Sequence, residues 1–303
     1  MSKSSQRPSI PEPDVHVLNG VSDSDVRLTT ENMEKDFKEG KDKISAVEAS
    51  KDLQRLMLRM KSEVMTEDGS GVNYEKLRNN DVLSQYKEQA AHLRELDVST
   101  LSENEKIAFF INIYNALTIH GLVDHTELPN SVLDVQLFWK TTAYNIGGCV
   151  FSLDDIEHGI LRGNRPHPAS KEKPLKESDP RKKLSVKKLD PRVHFALVCG
   201  AKSCPRIRVY SAETLSKELD LATKSFCSQE VKAYPVQKKI TLSRIFEWYG
   251  SDFGANDVEV IRWTIPYLDT EKQGDVEFLL FELEQRGMVD IEYSNYDWNL
   301  NKI

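Results

Sequence analysis

Apolar residues recur at helical spacing through the first third of the chain. Ile44, Val47, Leu53, Leu56, Met57 and Met60 fall mostly on one stripe, which predicts an amphipathic helix between Ile44 and Met65. Glu67-Asp68-Gly69-Ser70-Gly71 breaks the pattern as a turn. Tyr74, Leu77, Val82, Leu83, Tyr86, Ala90 and Leu93 then predict two shorter helices. Ser102-Glu103-Asn104-Glu105 reads as a capping box, in which serine and the glutamate three residues on satisfy each other's backbone N–H groups. The helix it opens runs to about His120 and is apolar nearly all round, through Ile107, Ala108, Phe109, Phe110, Ile111, Ile113 and Leu117. Such a helix belongs at the centre of a core. Asn112 and Asn115 interrupt it. Buried amides need partners, so these two are expected to tie down nearby backbone or site groups.

After residue 130 the pattern shortens. A Gly147-Gly148 turn precedes a short strand, Cys149-Val150-Phe151. Ser152-Leu153-Asp154-Asp155 is a second cap, and the helix it opens carries Ile156, Glu157, His158, Ile160, Leu161 and Arg162. Residues 166–191 form a polar, Lys-rich loop, read as a solvated connection, with a lid or a docking site for an anionic partner as the alternative. Val193 to Cys199 reads as a buried strand, ending in the turn-rich exit Gly200-Ala201-Lys202-Ser203-Cys204-Pro205. Further helices are predicted from Ser211 through Phe226, over 258–268 and over 275–287. Lys239-Ile240-Thr241-Leu242 is a short strand, and Ile291 to Trp298 a last extended stretch. Helices come first and mixed elements follow. This predicts an α+β fold, a helix-rich single domain over 36–303 around a small sheet that carries the cysteine strand. Residues 1–35 hold too few apolar residues to offset ordering entropy and read as a disordered tail.

Composition narrows the function. The chain has 303 residues, 39% hydrophobic and 29% charged, enough for one sizeable core. Its formal net charge of −7 argues against nucleic-acid binding, which relies on excess Lys and Arg. No uninterrupted apolar run reaches the roughly 18 residues of a membrane span, and the N-terminus has no apolar leader pattern. Four cysteines are too few for a disulfide scaffold, so they are expected to be thiols in a reducing compartment, the cytoplasm with the nucleus left open. No cofactor motif is present, and Cys-x₄-Cys without a second pair is a poor zinc pattern, so neither cofactor nor metal is expected. A protein partner is compatible with the sequence, which specifies none.

The candidate chemistry lies between Glu157-His158 and the Cys199-to-Cys204 segment. A cysteine at the end of a buried strand is held rigidly yet reaches a cleft. Lys202, Arg206 and Arg208 lie close in sequence and favour a thiolate, which makes Cys204 the exposed nucleophile candidate and Cys199 its buried neighbour. His158 is the candidate general base, with Asp154 or Asp155 near enough to orient it. Arg162 shares its helix face, and His194 is a second candidate. Three readings stand together. One is a cysteine-dependent hydrolase or acyltransferase, with Glu157 or an asparagine orienting His158. The second is a non-catalytic interaction or scaffold module that uses the polar cluster to brace its core. The third is a thiol redox protein using Cys199 and Cys204.

The blocks Phe110-Ile111-Asn112-Ile113-Tyr114-Asn115-Ala116-Leu117, Leu153 to Arg162, and His194 to Pro205 resemble successive signature blocks of the family called domain of unknown function 547. Phe246-Glu247-Trp248-Tyr249 with Asp252-Phe253, and Tyr296 to Asn301, fit the same family, so the resemblance covers about 75–303. It implies no assigned reaction. It marks Asn112, Asn115, Glu157, His158, Arg162, Cys199 and Cys204 as the polar signature positions. An order of amide or acid, then histidine, then cysteine would be that of a papain-like site in a permuted order.

Overall fold

The computed structural model describes residues 14–20 and 45–303. The tail expected over 1–35 therefore lies mostly outside the described residues; within that span, His16–Val17 forms strand β1. Helix α1 spans Ala46–Val64. The Ser45 hydroxyl accepts from the Glu48 N–H at 3.1 Å and the Glu48 carboxylate accepts from the Ser45 N–H at 3.2 Å, a closed capping box. The turn after α1 leads into α2 (Tyr74–Arg78) and α3 (Asp81–His92), each capped by an asparagine, Asn73 and Asn80.

Helix α4 (Glu103–Asp124) opens on the Ser102 box and is buried at every position from Ala108 to Val123. By length and composition it could cross a membrane, but 89% of its most apolar window is covered by the rest of the protein. It is the core around which the other elements pack. A short helix α5 (Phe138–Thr141) runs into β2 (Thr142–Ile146), and the Gly147-Gly148 turn leads to β3 (Cys149–Ser152). The first sheet has the order β1-β2-β3, with β1 parallel and β3 antiparallel to β2.

The second cap is present. The Ser152 hydroxyl accepts from the Asp155 N–H at 3.1 Å and Asp155 accepts from the Ser152 N–H at 3.0 Å. What it opens is a π-helix, Asp155–Leu161, packed on α4. The wider π turn is rare and concentrates at functional sites. The Lys-rich loop is anchored to the fold. It buries Leu175, Leu184 and Val186, and the Arg181 guanidinium donates to Val150 O at 2.6 Å and to Asp155 at 2.8 Å.

Val193 to Cys199 is not a strand, which corrects the sequence expectation. Pro191–Phe195 is a 3₁₀ turn, with Asp190 accepting from the Arg192 N–H at 3.1 Å. Pro191 fixes φ at the start of the turn. The apolar run does not distinguish a buried strand from a buried turn, because both are covered on every side. Cys199 and Cys204 therefore lie outside the sheets.

The chain continues through α6 (Leu215–Glu230), β4 (Lys232–Tyr234), β5 (Lys239–Leu242), α7 (Arg244–Trp248), α8 (Gly250–Phe253), α9 (Asp257–Thr264), α10 (Thr270–Arg286) and β6 (Asp290–Tyr293). Strands β4, β5 and β6 form a second three-stranded sheet, with β5 antiparallel to β4 and parallel to β6. The fold is α+β and helix-rich, with two small sheets among the described residues where one was expected.

Candidate functional site

Two amides on α4 set the position of the cysteine segment. Asn115 donates to Ala196 O at 2.9 Å and accepts from the Val198 N–H at 2.8 Å. Asn112 does the same for Tyr210, donating to its O at 2.7 Å and accepting from its N–H at 3.0 Å. A side-chain amide offers a donor group and an acceptor side by side in one plane, so each clamps an irregular segment that no strand pairs. Both amides are buried, with the nitrogen and the oxygen of each engaged.

The Cys199-Gly200-Ala201-Lys202-Ser203-Cys204 turn closes on itself. Gly200 has φ +91°, and a Cβ there would meet Leu122 Cδ1 at 2.6 Å, so the position needs glycine for both backbone and space. The C-terminal segment pins the turn from outside. The Lys202 N–H donates to Asn299 O at 2.9 Å, the Ser203 N–H to Asp297 O at 3.2 Å, and the Asn301 N–H to Gly200 O at 2.9 Å. The turn brings the two sulfurs to 2.9 Å. The Cys199 N–H donates to Cys204 Sγ at 3.2 Å, and the Tyr296 hydroxyl lies 3.3 Å from Cys204 Sγ and 3.8 Å from Cys199 Sγ.

The surroundings drive the two thiols apart. Burial works against a Cys204 thiolate, but the Cys199 thiol, the Tyr296 hydroxyl and the Cys199 and Ala201 backbone outweigh it and lower its pKa. Cys199 is pushed well up, because its thiol hydrogen is held by Cys204, its sulfur is largely shielded from water, and the neighbouring charge opposes its own ionisation. Cys204 is therefore the more acidic thiol of the pair, and Cys199 the thiol that supports its ionisation. Both are partly exposed and line one cleft of about 900 Å³.

The same cleft carries Glu157, His158 and His194. The Tyr249 hydroxyl donates to Glu157 Oε1 at 2.5 Å and the Tyr114 hydroxyl to Oε2 at 3.0 Å. Burial disfavours this carboxylate, but its neighbours His158, the Tyr249 hydroxyl, His194 and Arg162 outweigh it and hold its pKa low. Beneath lies a buried ion network centred on Asp252. Arg162 donates to it through Nε at 2.7 Å and Nη2 at 3.2 Å, Arg165 at 2.8 Å, and His194 Nε2 at 2.9 Å. Burial alone would raise Asp252; these hydrogen bonds and charges hold it far below the usual carboxylate range.

Arg162 fixes the state of His158. Its Nη1 lies 2.9 Å from His158 Nδ1 and donates to Pro166 O at 2.7 Å. A guanidinium only donates, so Nδ1 accepts and the hydrogen of the neutral ring is on Nε2. Burial, with the Arg162 charge, lowers the His158 pKa to about 4. The Nδ1 lone pair is therefore occupied, and the neutral ring presents its Nε2–H to the cleft. No hydrogen bond joins His158 to either sulfur among the described residues. Of the two acids expected to orient His158, Asp155 serves the cap and Arg181, and Asp154 Oδ1 lies 3.8 Å from His158 Nε2.

Thus Cys199, Cys204, Glu157, His158 and His194 share one cleft, while Asn112, Asn115 and Arg162 support it from within. The sequence reading assigned no role to Tyr114, Tyr249, Tyr296 or Asp252. Tyrosines scattered over a chain carry no spacing signal, and a long-range pair such as Arg162–Asp252 leaves no local pattern.

Residues 98–227 match the model of a family described as "Protein of unknown function, DUF547". No curated protein matches the chain. No solved structure matches it either.

Proposed function

We propose that the cleft performs thiol–disulfide exchange with Cys204 as the attacking sulfur and Cys199 as the resolving one; the family model that residues 98–227 match assigns no reaction. The observation that carries the reading is the 2.9 Å contact between the two sulfurs, with their acidities pushed in opposite directions. A disulfide of about 2.05 Å needs only a small further approach.

The Cys204 thiolate attacks one sulfur of a disulfide R–S–S–R′. The Cys204–S–S–R bond forms, the S–S bond of the substrate breaks, and R′–S⁻ leaves with the electron pair and takes up a proton. Cys199 gives its proton to solvent and attacks the Cys204 sulfur. R–S⁻ leaves and is protonated, and the Cys199–Cys204 disulfide remains. The protein loses two electrons and the substrate gains them. Cys204 combines a lowered pKa with access to the cleft, which are the properties an attacking thiol needs.

The hydrolase or acyltransferase reading shares the Cys204 nucleophile but also requires a base at the sulfur. The occupied Nδ1 of His158 supplies little support for it. A scaffold reading accounts for the asparagine clamps but gives no reason for a lowered thiol on a cleft wall.

The test is exposure of the reduced protein to oxidised glutathione, followed by mass-spectrometric mapping. The expected product is a Cys199–Cys204 disulfide, and Cys199→Ser should trap glutathione on Cys204. Glutathione trapped only on Cys149 or Cys227 would overturn the reading.

A further inference from the structure

The cleft has a second chemical end that the thiol reading does not use. His158 and His167 meet there edge to face, with ring centroids 4.9 Å apart. His158 Nδ1 is occupied by the Arg162 guanidinium, and His167 Nδ1 accepts from the Ala169 N–H at 3.0 Å. Both partners can only donate. Each neutral ring therefore carries its hydrogen on Nε2, and both rings line the cleft as donors. Lys140 lines it as well. Arg244, the other cation of the wall, is paired with Glu247 at 2.7 Å, whereas Lys140 has no acidic partner among the described residues. Glu157 does not compete for these donors, since its two oxygens receive Tyr114 and Tyr249. Asp154 is the one acid left at this end. The set is built to receive an acceptor with negative charge.

An aromatic track joins this end to the sulfurs. The Tyr296 hydroxyl touches Cys204, the Tyr296 and Trp298 ring centroids are 4.6 Å apart, and those of Trp298 and Trp139 are 5.9 Å apart. Trp139 precedes Lys140 on α5. A cavity of this size with mostly apolar walls and a few convergent polar groups is the usual form of a small-molecule site.

We propose that the cleft takes an amphipathic acid: its apolar chain lies along Tyr296, Trp298 and Trp139, its anionic head meets Lys140, His158 and His167, and its far end carries a sulfur to Cys204. The position of that sulfur rests on the thiol-exchange reading; the acid head and the chain do not.

Trp139, Trp248 and Trp298 line the cleft, so tryptophan fluorescence of the full chain reports occupancy. Three probes separate the parts: lipoate, a cyclic disulfide on a short acid chain; lipoamide, its neutral amide; and octanoate, an acid without sulfur. Lipoate and octanoate are expected to quench saturably, with lipoamide about ten-fold weaker, as for loss of one charge-assisted contact. Lys140→Met, at an exposed position, is expected to weaken both acids to a similar extent and leave lipoamide unchanged. Equal binding of lipoamide and lipoate, no saturable quenching by either acid, or no effect of Lys140→Met on the acids overturns the proposal. If both acids bind as expected and lipoate is not reduced, the acid site stands and the thiol-exchange reading falls. If oxidised glutathione is reduced while no acid binds, the acid site falls alone.

Discussion

The sulfur end and the histidine end of the cleft are held in opposite ways. At the sulfur end, Cys204 is surrounded by its partner thiol, a tyrosine hydroxyl and backbone N–H groups, all neutral donors. At the histidine end, the buried Arg162–Asp252 ion pair, joined by His194 and the half-exposed Arg165, fixes His158 in one tautomer. Neutral donors support a sulfur whose charge is expected to change as it reacts. A charged network resists change, because any member that loses its partner is left costly in the interior. Under the proposed reading, the comparison separates the part that would react from the part that positions.

The largest effect should come from breaking the charged network. Asp252→Ala leaves Arg162 buried without its carboxylate, and a loss of about 3–5 kcal/mol is expected in denaturant unfolding. The same network sets a pH dependence. The folded pKa of Asp252 lies below its unfolded value, so its contribution is complete above the unfolded pKa and is lost as pH falls toward the folded one. His158 acts in the same acid direction: its pKa drops to about 4, so stability should fall as pH drops below the ordinary histidine range. A midpoint unchanged by Asp252→Ala would mean that this end is not braced by charge.

A smaller effect is expected at the clamp. Asn115→Ala leaves Ala196 O and Val198 N–H without partners, at about 1–3 kcal/mol for each group that finds no water. Because the clamp lies one residue from Cys199, alkylation of Cys204 should slow as well. Loss of stability with Cys204 reactivity intact would separate the clamp from the sulfur end.

The smallest effect concerns Asp154, which faces Glu157, Asp155, Lys140 and His158. Burial, with the Glu157 charge, raises its pKa to about 7. Below that pH it is neutral and leaves the donors to a ligand; above it, its charge opposes an acid. Octanoate affinity should therefore fall a few-fold as pH rises through about 7, and Asp154→Asn should flatten the profile. A profile unchanged by Asp154→Asn would remove Asp154 from the acid site.

Much of this was legible in the chain. The capping boxes at Ser102 and Ser152, the buried α4 and the role of Asn112 and Asn115 as backbone clamps follow from local pattern and from the need of buried amides for partners. The turn over Pro191–Phe195 was not, because a run buried on all sides has no period to read. The width of the π-helix was equally hidden, since its cap is that of an ordinary helix. The site was legible as a place through Cys199, Cys204, Glu157 and His158. The state of its groups was not. The His158 tautomer depends on Arg162, Arg162 on Asp252 some ninety residues away, and Cys204 on Tyr296 a similar distance on.

The central claim is that Cys204 is the more acidic thiol, its ionisation supported by the Cys199 thiol. It is tested most directly by the pH dependence of iodoacetamide alkylation at Cys204, followed by peptide mapping, in the native sequence and in Cys199→Ser. The account predicts a half-point below that of a free thiol, moving upward when serine replaces Cys199, with Cys199 alkylated much more slowly. A half-point at the free-thiol value that Cys199→Ser does not move, or Cys199 reacting first, would contradict it.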